Sequence, residues 1–231
     1  MLVLTQNIDN GIILFLFTLF IGTIIVQLYY ILFIFQKLAF LNHQRKPASN
    51  EIPISVIIAA RNESHNLKEN LRFILEQDYS NFEVIVVNNN STDDSYQVLS
   101  ALKKEYNHLE IIEFNNPEHV RQGKKLPLTL GIKAAKNEHL LLTDADCTPK
   151  SNQWIKKMAR GLKEKEIILG YGPYIKTSGL LNSIIRFDTA WIGMNYFSFA
   201  LNGFAYMGVG RNLAYTKRAY QAVDGYKSHH M

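Results

Sequence analysis

Two carboxylates stand one residue apart in "HLLLTDADCTP", residues 139–149, where an apolar run gives way to Asp144, Ala145 and Asp146. Like charges this close repel unless a cation or a proton relieves them. A hard divalent cation, Mg2+ or Mn2+, is the economical reliever, because it takes carboxylate oxygens and completes its shell with water and phosphate oxygens. The pair is therefore read as a metal and diphosphate site. Thr148 and Pro149 have the form of an N-cap and first-turn pair and are expected to open the next helix. An isolated D-x-D is a weak signal; its place after "LLLT" raises it.

The surrounding elements must put that mouth where a ligand can reach it. "ISVIIAA" (54–60), "FEVIVVN" (82–88), "LEIIEF" (109–114) and "HLLLTD" (139–144) are short apolar runs suited to buried strands. Between the first two lies "SHNLKENLRFILEQ", whose Leu67, Leu71, Ile74 and Leu75 recur at helical spacing. "DDSYQVLSALKKEY" and "KLPLTLGIKAAK" are the further helices. The alternation predicts an α/β fold, a mostly parallel sheet with helices on both faces. Ligands of such sheets sit beyond the carboxyl ends of the strands. Those ends carry Arg61, Asn62 and Glu63, then Asn88, Asn89, Asn90 and Ser91, then Asp144 and Asp146. Asn62 or Ser64, and Ser91 with Asp94, also suit helix caps, and Asp93 and Asp94 are read as first-turn carboxylates complementing a helix dipole.

The chain has 231 residues, 47% of them hydrophobic, enough for one sizeable core. Its formal net charge of +5 is scattered, so nucleic-acid binding is not expected. One cysteine, Cys147, excludes an internal disulfide and suits a reducing compartment. The first 42 residues form a separate unit. "GIILFLFTLFIGTIIVQLYYILFIF" carries no charge and exceeds the roughly 20 residues that cross a bilayer, so it reads as a transmembrane anchor. Lys37, Arg45 and Lys46 follow it and Asp9 precedes it, which places the remainder on the cytoplasmic side of the inner membrane. Residues 43–53, polar with two prolines, are the linker, and 54–231 the catalytic domain.

Four ordered stretches, "ISVIIAARNESHNL", "FEVIVVNNNSTDDS", "RQGKKLPLTLGIKAAKNEHLLLTDADC" and "GVGRNLAYTKRAYQAVDGY", resemble the family 2 glycosyltransferases of the GT-A, Rossmann-like fold. The likeness covers about residues 52–231. It implies a nucleotide-sugar donor, most often UDP-linked, and hexosyl or N-acetylhexosaminyl transfer with inversion. By the same resemblance Ala60, Arg61, Asn62 and Glu63 hold the nucleoside together with Asn88 and Asn90. Asp146 is the direct metal ligand, and Asp144 faces the ribose or a metal-bound water. Gly123, Lys124 and Lys125 match a glycine and lysine segment near the nucleotide; a solvated basic loop is an equal reading of either lysine. Gly210, Arg211 and Asn212 match the segment lining the donor sugar and acceptor, with a structural ion-pair role equally open for Arg211.

Two departures stand out. Relatives commonly read "VVDDGSTD" where this chain has "VVNNNSTD", so the first Asp, which accepts from the nucleobase, is here Asn88. The acidic motif that supplies the general base lies past "VDGYKSHHM" in the family, so the base is expected beyond Met231 and the chain is read as a C-terminally truncated, weakly active or inactive form. His229 and His230 are not expected to replace it, and Asp224 reads as a turn residue. The expected acceptor is an envelope glycan or membrane lipid. Between residues 178 and 210, Trp191, Tyr196, Phe197 and Phe199 suit a helix at the membrane interface, while core filling is the favoured reading. A noncatalytic nucleotide-sugar-binding scaffold is the alternative to an enzyme. A sugar-nucleotide nucleotidyltransferase would want a glycine in "AARNESHN", which has none.

Overall fold

The computed structural model describes residues 2–41, 51–115 and 123–226. Most of the linker, with Arg45 and Lys46, lies outside the described residues, as do His229 and His230.

The chain forms two compact units. One contains Lys46–Gly172 and Gly208–Met231, the other Met1–Arg45 and Pro173–Met207. Contacts thus group residues 173–207, which the sequence reading leaves inside one 54–231 domain, with the N-terminal helix. In the larger unit six strands lie in the order β3-β2-β1-β4-β6-β5. They are β1 (Ile54–Ala60), β2 (Phe82–Asn89), β3 (Leu109–Phe114), β4 (His139–Asp144), β5 (Ile167–Leu169) and β6 (Leu213–Thr216). β1 to β4 are mutually parallel, whereas β6 runs antiparallel to both β4 and β5.

β1, β2 and β4 coincide with apolar runs because helices cover both of their faces and favour apolar side chains there, whereas β3, at the edge of the sheet, is fully buried only at Leu109. β1 is buried at all seven positions. One face packs on α3 (Ser64–Leu75), α4 (Ser95–Glu105) and α6 (Trp154–Leu162), through Leu71, Leu99 and Ile155 among others. The other face packs on α5 (Lys125–Ala134) and α8 (Lys217–Ala222) around Ile57, Ile85, Leu142 and Tyr215. Each isoleucine or leucine so buried contributes about 1.5–3 kcal/mol.

The smaller unit holds α1 (Leu2–Tyr29), continued by a π-helical turn (Tyr30–Phe35) and α2 (Gln36–Ala39), together with α7 (Leu180–Leu201). Among the described residues one helix, Gly11–Ala39, is long and apolar enough to cross a membrane, and none of its most apolar window is buried. The favoured core reading of residues 178–210 holds for Tyr196, which is buried, and not for Trp191, which is 51% exposed.

Candidate functional site

Parallel pairing brings the expected strand ends into one row. Ala59 is in register with Asp144, Ala60 with Asn88, and Asn88 with Glu113. The loop after β1 and the loop after β2 are stitched together. The Asn62 backbone N–H donates to Ser91 Oγ at 2.9 Å, and Thr92 N–H donates to Asn62 Oδ1 at 2.8 Å. Ser64 N–H donates to Asp93 Oδ2 at 2.9 Å, while Asp93 Oδ1 accepts from the Ser95 hydroxyl at 2.6 Å. Asn62 and Asn90 turn these loops at φ of 54° and 51°, a region asparagine tolerates better than other side chains. Asn90 holds the position where "VVDDGSTD" has glycine, and its backbone conformation explains why that position is glycine in relatives and asparagine here.

Asp93 does more than complement a dipole, since it ties the first turns of α3 and α4 together. Burial pushes its carboxyl up, but hydrogen bonds from Ser95 and Ser64 outweigh that and bring it down to about 2. Glu63 occupies the N-cap position of α3, accepts from Asn66 Nδ2 at 2.5 Å, and has its own N–H on Ser95 Oγ at 3.1 Å. Arg61 is exposed beside it.

Asn88 is 2% exposed and both ends of its amide are engaged. The Ser91 hydroxyl donates to its Oδ1, and its Nδ2 donates to the Glu113 carboxylate at 2.9 Å. Glu113, exposed at the end of β3, is a carboxylate that the motif reading did not find. Only the strand register, which the sequence does not carry, pairs it with Asn88.

At the mouth of β4 the Asp144 and Asp146 carboxylates and the Cys147 thiol offer ligand atoms within 4.8 Å of one another. Lys124 Nζ donates to Asp144 Oδ1 at 2.8 Å, so a cation of the chain itself relieves part of the repulsion inferred from the spacing. Asp146 is exposed and accepts from the Cys147 thiol at 3.5 Å. Burial first, then the Asp146 and Asp144 charges, push that thiol up to about 11, which keeps it a neutral S–H at pH 7. The donor set is thus carboxylate oxygen, the kind a hard dication takes, and the residues fit Mg2+ or Mn2+. Lys124 meets the acidic pair through Asp144. Lys125 lines a groove of about 470 Å³ with Thr129, Tyr220 and Asp224.

The helix expected at Pro149 starts instead at Trp154. Thr148 does not cap it; its hydroxyl donates to Asn70 Oδ1 at 2.8 Å, and Asn70 Nδ2 donates to Ala145 O at 3.2 Å. Asn70, on α3, therefore fixes the carboxylate loop from the side. Nothing in the helical pattern of α3 distinguishes it from a solvent-facing residue.

Gly210–Asn212 form a 3-10 turn that leads into β6 beside β4, and Thr143 Oγ1 donates to the Arg211 carbonyl at 3.1 Å. Arg211 Nε donates to Gly172 O at 2.9 Å and Asn212 Nδ2 to Tyr171 O at 3.0 Å, while Asn212 Oδ1 accepts from Trp154 Nε1 at 3.0 Å. A Cβ on Gly170 would stand 2.2 Å from the Asn212 side chain, and one on Gly172 would stand 2.8 Å from Arg211 Nε. The "LGYGP" glycines after β5 thus make room for these two side chains. Asp224, at φ 54°, is the turn residue expected.

The mostly parallel sheet with helices on both faces is a fold shared with solved proteins. The mannosyltransferase PcManGT from Pyrobaculum calidifontis, solved with GDP-Man and Mn2+, matches with a TM-score of 0.60 at 20% identity, over 84% of this chain and 54% of its own. TarS 1–349 of Staphylococcus aureus matches with a TM-score of 0.53 at 20% identity, over 75% of this chain and 49% of its own. These likenesses show the GT-A fold. The family model of glycosyl transferase family 2 matches residues 55–221, and the chain belongs to that family. The glycosyltransferase GlyG of Streptococcus pneumoniae serotype 4 is 31% identical over 121 residues, 52% of this chain, and the aligned stretch spans only 38% of GlyG.

Proposed function

We propose that this chain is the donor-binding part of a membrane-anchored, metal-dependent, inverting glycosyltransferase. It takes a nucleotide sugar, UDP-linked by family habit, and serves an envelope glycan or lipid acceptor at the cytoplasmic face of the inner membrane. The observation that carries this reading is the Asp144, Asp146 and Lys124 cluster at the mouth of β4 in a family 2 chain. The exposed apolar helix Gly11–Ala39 supports anchoring. The Mn2+ of PcManGT and the oxygen donor set support a hard dication held by Asp146 and Asp144. Such an ion supplies positive charge to a diphosphate leaving group.

The protein's own residues do the rest. Lys124, beside Asp144, would offer its ammonium to a phosphate oxygen. Ala60, Arg61, Asn62 and Glu63 form the floor under the nucleoside, held rigid by the loop after β2. Asn88 works through Glu113 and Ser91, which it positions, rather than by touching the base. Asn90 shapes the turn beside it. Lys125 contributes charge behind Lys124. Gly210, Arg211 and Asn212 form the wall on the donor-sugar side.

Calorimetric titration with UDP and with GDP, in Mn2+, in Mg2+ and in chelator, tests the reading. Binding that needs the dication and is lost in Asp146→Ala supports it. Nucleotide binding indifferent to both the chelator and Asp146→Ala overturns the donor-site assignment. Preference between the two nucleotides reads out the base.

A further inference from the structure

The smaller unit carries an exposed apolar surface. α7 leaves Leu180 78%, Leu181 71% and Phe187 71% exposed, with Ile184, Trp191 and Ile192 also uncovered. At 100° per residue these six lie on one broad arc, while Asn182, Arg186 and Thr189 lie on the other. α7 is not a second span, since it carries Arg186 and Asp188, and one helix alone among the described residues passes the length and hydropathy test.

Where α7 sits on the apolar helix fixes its depth. Starting at Gly11, a hydrocarbon core about 30 Å thick is crossed in about 20 residues at 1.5 Å each, which ends near Tyr30. The π-helical turn Tyr30–Phe35 and α2 then lie at headgroup level, and these are the segments α7 packs against. Asn202 Nδ2 donates to the Ile34 carbonyl at 3.0 Å. The Tyr30 and Phe199 rings are 6.1 Å apart and those of Phe35 and Trp191 are 6.4 Å apart. Tyrosine and tryptophan at this level match the aromatic belt of a bilayer boundary. With Asp9 set aside at the far end of the apolar helix, Lys37, Lys176 and Arg186 against Asp188 leave an excess of cations, which suits anionic headgroups. Asp188 and Asn195 fall within the apolar arc, which a shallow boundary accepts and the hydrocarbon core does not.

We propose that α7 lies along the surface of a lipid bilayer, its Leu180, Leu181, Ile184, Phe187, Trp191 and Ile192 side chains in the boundary between headgroups and acyl chains. The proposal rests on the reading of Gly11–Ala39 as an anchor, and the experiment separates the two. The full chain is reconstituted into phosphatidylethanolamine and phosphatidylglycerol vesicles whose acyl chains are brominated either near the glycerol or near the chain end. The Trp191 signal is the difference in fluorescence between the protein and Trp191→Phe. It should fall by about half with shallow bromines and by less with deep ones. In a Trp191→Phe background, Phe20→Trp reports the anchor and should be quenched chiefly by deep bromines. Deep quenching of Phe20→Trp with no quenching of Trp191 overturns the interfacial helix alone. Quenching of Trp191 chiefly by deep bromines also overturns it. No quenching at either position overturns the anchor and the proposal together.

Discussion

The two ends of the parallel sheet use their carboxylates in opposite ways. At the amino ends, Glu83 is 7% exposed and accepts from the Ser55 hydroxyl at 2.6 Å and from the Lys136 backbone N–H at 2.7 Å. The Lys136 ammonium lies 3.7 Å from Glu83 and 3.4 Å from Glu110, and Lys103 lies 3.1 Å from Glu110. The hydrogen bond from Lys103 holds the Glu110 carboxyl below its ordinary range. At the carboxyl ends, Asp144 meets the exposed ammonium of Lys124, Asp146 faces solvent, and Glu113 is exposed with an amide for a partner. One end commits its charges to the chain and so contributes stability. At the other, Asp93 is likewise bound into the chain, but Asp144 and Asp146 stay where a ligand can reach them.

That contrast is broken most sharply by exchanging what is lost at each end. Asp146→Ala should lower Mn2+-dependent affinity for UDP or GDP by about 100-fold, near 2.7 kcal/mol, and leave the urea midpoint within error. Glu83→Ala should do the reverse. It strands the Ser55 hydroxyl and the Lys136 N–H and costs about 2 kcal/mol of stability by denaturant titration, with nucleotide affinity of the folded protein unchanged. Lys124→Ala removes an ion pair whose lysine is 62% exposed, so folding should change by less than about 1 kcal/mol while nucleotide affinity falls about fivefold. A comparable loss of stability there would show that the carboxyl end is held together like the amino end. The smallest effect is on acid stability. The Asp93 carboxyl sits at about 2 in the folded protein, below its ordinary value near 3.8, so its contribution is complete above about pH 4 and is lost as pH falls through about 2. Asp93→Asn should flatten the stability profile in that window and nowhere else.

Much of this was legible in the sequence because parallel strands under helices leave an apolar run, and all four parallel strands, the less buried β3 included, begin where their runs begin. The acidic pair, the asparagines at the strand ends and the apolar N-terminal helix were visible for the same reason, a local pattern with a local cause. β5 and β6 were not, since three and four residues are too few to establish a period. The start of α6 was missed because Thr148 and Pro149 mimic a helix entry while Asn70, distant in sequence, takes the hydroxyl. Asn70, Glu113 and Gly170 became visible only through register and packing. The role of Lys124 against that of Lys125 depends on which way the first turn of α5 faces, and adjacent lysines do not reveal it.

The stitching of the loop after β1 to the loop after β2 has a consequence for how this protein meets its ligand. A loop that must order itself on binding loses conformational entropy at that moment, about 1–2 kcal/mol for each residue fixed. Here that loss has already occurred during folding, through Asn62, Ser91, Thr92 and Asp93 acting across the gap. The two loops behave as a single preorganised platform, so a residue inserted in either one shifts both.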